Sequence, residues 1–253
     1  MIRAALLALF LPTAAMAAGE EIVSGLSQNR VAITANFDGS EILIYGAVKR
    51  DAPAPTEAPL EVIITVEGPS TPLVIRKKER RAGIWVNVAA ITVDAAPSFY
   101  AVATTGPIDE ILSGTDDLRF KITLDHAIRA IGSASEAEGA EAFVAALERI
   151  RLSDDSYRLM QGQVQLVEET LFRTDVALPA NLTEGDYKVR MFITRGGRVI
   201  DHMERVIGVR KAGLERTLYV MAHEQPFLYG LISLALAVVA GWAASAAFRL
   251  MKR

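Results

Sequence analysis

The stretch Leu182-Thr-Glu-Gly-Asp-Tyr-Lys-Val-Arg-Met-Phe-Ile-Thr-Arg-Gly-Gly-Arg-Val-Ile-Asp-His-Met-Glu-Arg-Val-Ile-Gly-Val209 carries the reading of the fold. Two runs, Asp186 to Thr194 and Arg198 to Val209, are rich in β-branched and aromatic residues, and Arg195-Gly196-Gly197 joins them. Two adjacent glycines supply the positive φ angles that a tight hairpin turn needs, so the segment predicts two antiparallel strands. Tyr187 stands at the entrance to the first of them, just after Gly185.

A tyrosine placed just before the penultimate strand is a feature of immunoglobulin-like sandwiches. Pro97-Ser-Phe-Tyr100-Ala-Val102-Ala is a looser echo of the same pattern. Upstream, Val31 to Phe37 alternates at period two, Asp38-Gly39 reads as a turn, and Glu41 to Val48 reads as a buried strand. The prolines of Asp51-Ala-Pro53-Ala-Pro55-Thr-Glu-Ala-Pro59 cannot donate to a ladder and separate strands. Leu60 to Glu67, Leu73 to Ile75, Ile84 to Val88 and Phe99 to Ala103 complete a first β region.

Between Gly106 and Gly162 the period changes. Thr115 is a candidate cap ahead of Asp116-Asp117, with Leu118, Ile122, Ile128 and Ile131 as an apolar face. Ser135-Glu-Ala-Glu138 fits a capping box before a helix whose Phe143, Leu147 and Ile150 share a face. Val164 to Glu168 and Leu171 to Leu178 then return to strands. The expected class is mainly β: immunoglobulin-like sandwich halves split by a helical insert, in one domain or two. The boundaries are a first β region at 18–105, the insert at 106–162, a second β region at 163–210 and a juxtamembrane stalk at 211–225.

The two ends account for a mean hydropathy of +0.26 in a chain that is 23% charged. Residues 1–17 combine Arg3, the apolar run Ala4 to Leu11 and an Ala-x-Ala site at Ala15 to Ala17, the signs of a secretory signal peptide. An uncleaved anchor is the alternative. Residues 226–248 hold an uncharged run from Phe227 to Phe248, long enough to cross ~30 Å of hydrocarbon, followed by Arg249, Lys252 and Arg253 in the tail 249–253. Basic residues mark the cytoplasmic side, so the chain is expected in the inner membrane with its bulk in the periplasm and its C-terminus inside. Within the run, Ser233, Ala237, Gly241 and Ser245 recur every four residues, a stripe of small side chains along which another helix, its own copy or a different protein's, can approach.

Setting aside Arg3 and the three tail cations leaves 23 basic against 30 acidic residues, a net charge near −7 for the exported part. Such a domain repels nucleic acid and, as a whole, anionic lipid. With no cysteine, no disulfide supports it. Against this acidic background Arg76, Lys77, Lys78, Arg80 and Arg81 cluster within six residues, a candidate patch for docking an acidic partner or anionic headgroups; the alternative is a strand edge guarded by charge.

No nucleophile elbow, phosphate loop, dinucleotide fingerprint or His-Glu-x-x-His motif occurs, so no enzyme activity, catalytic residue or cofactor is assigned. Glu168 and Glu169, read as strand neighbours, would point to opposite faces and make a poor acid/base pair. His202-Met203 with Met221 and His223 is the one grouping whose thioether and imidazole donors suit copper; the alternative reading makes Met203 a core residue and His202 its solvent-facing neighbour.

The segments Leu26-Ser-Gln28-Asn-Arg30-Val-Ala-Ile-Thr34, Glu41-Ile-Leu-Ile-Tyr45-Gly46-Ala, Arg80-Arg-Ala-Gly83-Ile-Trp85-Val-Asn87 and Phe99-Tyr100-Ala-Val-Ala103 resemble an alphaproteobacterial transmembrane protein family. The resemblance covers nearly the whole mature chain, with Gly83-Ile-Trp-Val-Asn87 its most specific piece. It implies a signal peptide, an exported region and one C-terminal span, and, since genes of that family tend to lie beside sulfite-exporter-type permeases, a permease as partner. It supplies no catalytic residues. The expected role is therefore that of a membrane-anchored accessory protein, with binding of a small ligand or copper for delivery to a transporter as the alternative.

Overall fold

The computed structural model describes residues 19–34, 37–56, 58–128, 139–212 and 221–251, with side chains to 245 in the last helix. The expected signal peptide, Ile131, the capping box at 135–138, residues 213–220 of the stalk, and 252–253 lie outside the described residues. The fold is mainly β, as the sequence leads one to expect.

Twelve strands and five helices are described. In chain order the strands of the first part are β1 (Glu20–Leu26), β2 (Arg30–Ile33), β3 (Ser40–Arg50), β4 (Leu60–Glu67), β5 (Ser70–Arg81), β6 (Ile84–Pro97) and β7 (Tyr100–Thr104). The helices α1 (Ile108–Ile111), α2 (Gly114–Phe120), α3 (Leu124–Ala127) and α4 (Ala140–Ser153) follow. The chain then returns to β8 (Tyr157–Met160), β9 (Gln165–Val167), β10 (Leu171–Leu178), β11 (Gly185–Arg195) and β12 (Arg198–Lys211), and ends in α5 (Pro226–Met251).

One sheet runs β1-β3-β10-β9 and a second runs β2-β12-β11-β4-β7-β8. Each mixes strands from both β regions, so the two halves interleave into a single sandwich. Ile22, Ile42, Ile44, Phe172 and Val176 of the first sheet pack on Val62, Ile64, Val189, Met191, Ile193 and Ile207 of the second. The other face of the second sheet is also covered. Ile63 of β4, Tyr100 and Val102 of β7, Tyr157 of β8 and Phe192 of β11 join Ile108, Ile122, Leu124 and Leu147 of the helical layer in a second core. Burial on both faces explains why Val62 to Val66 is apolar at every position but Thr65, which is itself buried and accepts from Arg190.

The opening stretch folds as its residues dictate. Gly196 and Gly197 sit at φ +54° and +78°, the two positive values of a type I′ turn, between β11 and β12. The Tyr187 hydroxyl donates to the Thr183 carbonyl four residues upstream at 3.0 Å, the hydrogen bond of a tyrosine corner. Tyr100 does not repeat it. Its hydroxyl reaches forward instead, donating to the Ile122 carbonyl at 2.9 Å, because its side chain lies on the sheet face covered by helices.

Several boundaries and faces differ from expectation. The cap of α2 is Ser113, whose hydroxyl accepts from the Asp116 N–H, and Thr115 lies within the helix. Leu118 is 64% exposed. The inward position of this two-turn helix is taken by Asp117, whose carboxylate accepts the N–H groups of Ile122 and Thr123 that start the next segment. On α4 Leu147 is buried and Phe143 half-buried, but Ile150 is 53% exposed. The insert also closes with a strand, β8, parallel to β7. Glu168 and Glu169 are not in a strand: both adopt positive φ in the turn between β9 and β10. Finally, the short strands expected at Leu73 to Ile75 and Ile84 to Val88 belong to a hairpin of twelve and fourteen residues, β5 and β6, which pair only with each other.

Candidate functional site

The base of the β5–β6 hairpin is held by the second core, through Leu73, Ile75, Ile91 and Val93. Beyond it, residues 76–81 and 84–90 contain no buried side chain, and Ile84 and Trp85 are 64% and 68% exposed. Six residues at ~3.3 Å each carry the arm about 20 Å past its base. An unsupported two-stranded ribbon is marginal by itself, so the base is what keeps this arm folded.

Strand alternation divides the five cations of the candidate patch. Leu73 and Ile75 face inward, and the same side of β5 continues with Lys77, Glu79 and Arg81. Lys77 and Arg81 both lie on Glu79, at 3.4 and 3.5 Å. The opposite side carries Arg76, Lys78 and Arg80, and among the described residues none of these forms an ion pair. Arg80 stands directly across from Trp85, and Lys78 across from Asn87. The patch is thus two faces: one on which Glu79 offsets one of two cations, the other carrying three cations and topped by an exposed indole. Sequence reasoning treated the five as one cluster. Counting in twos from the inward Leu73 would have separated them.

Helix α5 is the one described helix long and apolar enough to cross a membrane. Pro226–Ser245 has a mean hydropathy of 2.0, and none of it is buried against the rest of the chain. Ser233, Ala237 and Gly241 follow one another at one-turn spacing, with Ser245 next. Four residues advance a helix by about 40° beyond a full turn, so the stripe winds slowly round it. A Cβ built at Gly241 meets nothing within 4 Å.

A buried charge cluster escaped sequence reasoning. Glu20 of β1 is 8% exposed. Its carboxylate accepts two hydrogen bonds from Arg195 at the end of β11, 2.9 and 3.0 Å, and a third from Arg50 of β3. Arg195 also binds Glu169 at 3.0 Å and donates to the carbonyls of Ala58 and Pro55, which ties down the proline-rich loop. The Arg195 guanidinium, followed by that of Arg50, holds the Glu20 carboxyl below the usual range against the opposing effect of burial. The four residues are 26 to 175 positions apart, and only the fold brings them together.

A second polar group fastens the helical layer. Arg190 of β11 donates to the carbonyls of Phe120 and Lys121 at the end of α2, at 2.6 and 3.0 Å, and to the Tyr100 hydroxyl at 3.0 Å. Asp117 also accepts from the Thr123 hydroxyl at 2.7 Å and lies 2.8 Å from His126 Nδ1. Burial raises its carboxyl, but the bonds from Thr123, His126 and Ile122 outweigh that and hold it below the ordinary value. Burial, against the opposing charge of Arg190, pushes the Tyr100 hydroxyl up to about 12.

An open cleft of about 620 Å³ lies where β8 approaches β3 and β10 of the facing sheet, lined by Glu41, Asp155, Tyr157, Arg158 and Asp175. Arg158 spans it, donating to the Ala177 carbonyl at 3.1 Å. His202 and Met203 point to opposite faces of β12. His202 stacks on Phe192, with ring centroids 6.1 Å apart, while Met203 Sδ accepts from the Ser24 hydroxyl at 3.0 Å over the first core. Adjacent strand positions therefore divide the pair, and among the described residues no group of three His, Asp or Glu side chains is placed to hold a metal.

Comparison with known proteins adds the family. No curated protein matches the chain. Among solved structures, Spo0M, a sporulation control protein from Bacillus subtilis, aligns over 81% of this chain and 55% of its own at 10% identity, with a TM-score of 0.27. Residues 21–250 match the family model described as "Putative transmembrane protein (Alph_Pro_TM)", which takes in the sandwich, the helical layer, the hairpin arm and the apolar helix, and the chain belongs to that family.

Proposed function

We propose that this is a membrane-anchored periplasmic accessory protein, which uses α5 to hold its sandwich beside an inner-membrane permease or complex. The observation that carries the reading is a 20-residue apolar helix, wholly unburied by its own chain, on an acidic β domain. Such a helix is solvated by lipid or by other membrane helices, and its small-residue stripe lets a partner backbone come close. The mechanism is positional, and no group on the sandwich is assigned a catalytic step. Tagged full-length chain purified in mild detergent should carry an integral-membrane partner. Gly241→Leu, which meets no atom of its own chain, should abolish recovery without changing the thermal midpoint. Equal recovery from the variant rejects the stripe, and no partner at all from wild type rejects the accessory role.

A second reading, delivery of a small solute to a transporter, is supported by the open cleft between β3, β8 and β10. Its three carboxylates around Arg158 favour a polar, cationic or zwitterionic solute over an anion. Substitution of Asp155 and Asp175 by Asn should weaken uptake of such a solute while leaving recovery of the membrane partner intact.

A further inference from the structure

We infer that the outward face of the β5–β6 arm, Arg76, Lys78 and Arg80 with Trp85, is a docking surface for the anionic headgroups of the bilayer in which α5 is anchored. Three observations carry it. The first is charge complementarity concentrated on one face. Alternation places Glu79 with Lys77 and Arg81 on the other side, so three guanidinium and ammonium groups that form no ion pair among the described residues share a side facing solvent. The second is Trp85. Its indole is 68% exposed directly opposite Arg80, at the tip of an arm with no buried side chain beyond its base. An exposed indole beside cations suits the boundary between headgroups and acyl chains, where one end of the ring is apolar and the other wet. The third is reach. Thirteen residues, 213–225, separate the sandwich from α5. Even fully extended they span no more than about 45 Å, so the arm samples the bilayer surface at high effective concentration.

The acidity of the domain does not oppose this. At ~0.1 M salt the screening length is about 10 Å, and the tip stands about 20 Å beyond the arm's base, so the membrane meets the local cationic face before the net charge of the domain. Docking there would fix the tilt of the sandwich over the membrane, with the two-sheet core and the cleft held at a set height. The inference concerns the lipid surface and is independent of whether a permease is the partner.

The test uses full-length chain carrying Trp242→Phe, which leaves Trp85 as the single tryptophan. It is reconstituted in nanodiscs of phosphatidylcholine alone or with added phosphatidylglycerol. Quenching by acrylamide, a neutral probe that the anionic surface does not repel, reads the exposure of Trp85. Phosphatidylglycerol should shield Trp85 and shift its emission to the blue, and ~1 M salt, where screening shortens to about 3 Å, should reverse both. Arg76→Gln/Lys78→Gln removes two outward cations and should lower the docked-to-undocked ratio about 30-fold. Lys77→Gln/Arg81→Gln removes the same charge from the other face and should retain shielding. Shielding that is absent with phosphatidylglycerol, equal in pure phosphatidylcholine, or equally lost in both double variants overturns the inference. So does an acidic protein, recovered by wild type and lost with Arg76→Gln/Lys78→Gln, that shields Trp85 in lipid-free detergent.

Discussion

Arg195→Met is the sharpest probe of how the sandwich is tied together. The side chain is 9% exposed and the Glu20 carboxylate it grips is 5% exposed, so the pair sits out of reach of most solvent screening. The substitution keeps the aliphatic stem and removes five donors. It leaves Glu20 with Arg50 alone, Glu169 without its partner and the carbonyls of Ala58 and Pro55 without a donor. Breaking one partner out of a buried ion pair costs about 3–5 kcal/mol, and because Arg50 remains the lower end applies. For a domain of this size about 3 kcal/mol lowers the thermal midpoint by roughly 6–12 °C. Circular dichroism melts of the full-length chain in detergent measure it. Glu20→Gln should cost less, about 2 kcal/mol, since one oxygen still accepts, and the double variant should fall short of the sum because both changes remove the same contact. A midpoint drop under about 2 °C for Arg195→Met, or strict additivity with Glu20→Gln, would refute the view that this cluster clamps β1, β3 and β11 at one end of the sandwich.

Two further predictions follow from the same geometry. Glu20 and Asp117 both release their protons more readily in the folded chain than unfolded, so the stability they contribute is full above an ordinary carboxylate value of ~4 and is lost as pH falls through their lower folded values. Melts from pH 7 to 3 should show stability falling below about pH 4, with a smaller fall in Arg195→Met, where the main cause of the Glu20 shift is gone; an unchanged acid profile in that variant would sever the link. Tyr187→Phe removes the corner hydrogen bond to Thr183 and nothing of the ring, and should cost about 1 kcal/mol, or roughly 2–4 °C. An unshifted midpoint would show that the corner is held by packing alone.

Legibility in the sequence followed the range of the interaction. The β11–β12 hairpin was readable because Gly196-Gly197 and the flanking alternation are local, and Tyr187 announced its corner within five residues. The span was readable because a bilayer demands one long apolar run. The second core was not, since burial on both faces of β4 depends on helices more than forty residues away, and the only local hint was that Val62, Ile63 and Ile64 break the alternation of a half-exposed strand. Leu118 was misplaced because helical periodicity says which residues share a face but not that Asp117 would claim the inward one for backbone N–H groups. The cations of the arm were visible as a cluster, yet their division into two faces appears only when parity is carried from Leu73 and Ile75 along the strand. The Glu20, Arg50, Glu169 and Arg195 cluster has no local signature at all.

The central claim is that the sandwich lies on the periplasmic side of a membrane crossed by α5. The chain contains no cysteine, so a single introduced thiol reports its own location without background. Ala54→Cys, exposed in the proline-rich loop, and Lys252→Cys, in the basic tail, are treated in intact spheroplasts with a membrane-impermeant maleimide. The account predicts labelling of Cys introduced at Ala54 in intact spheroplasts and labelling at Lys252 only after the membrane is opened; the reverse pattern, or protection of both positions, would contradict it.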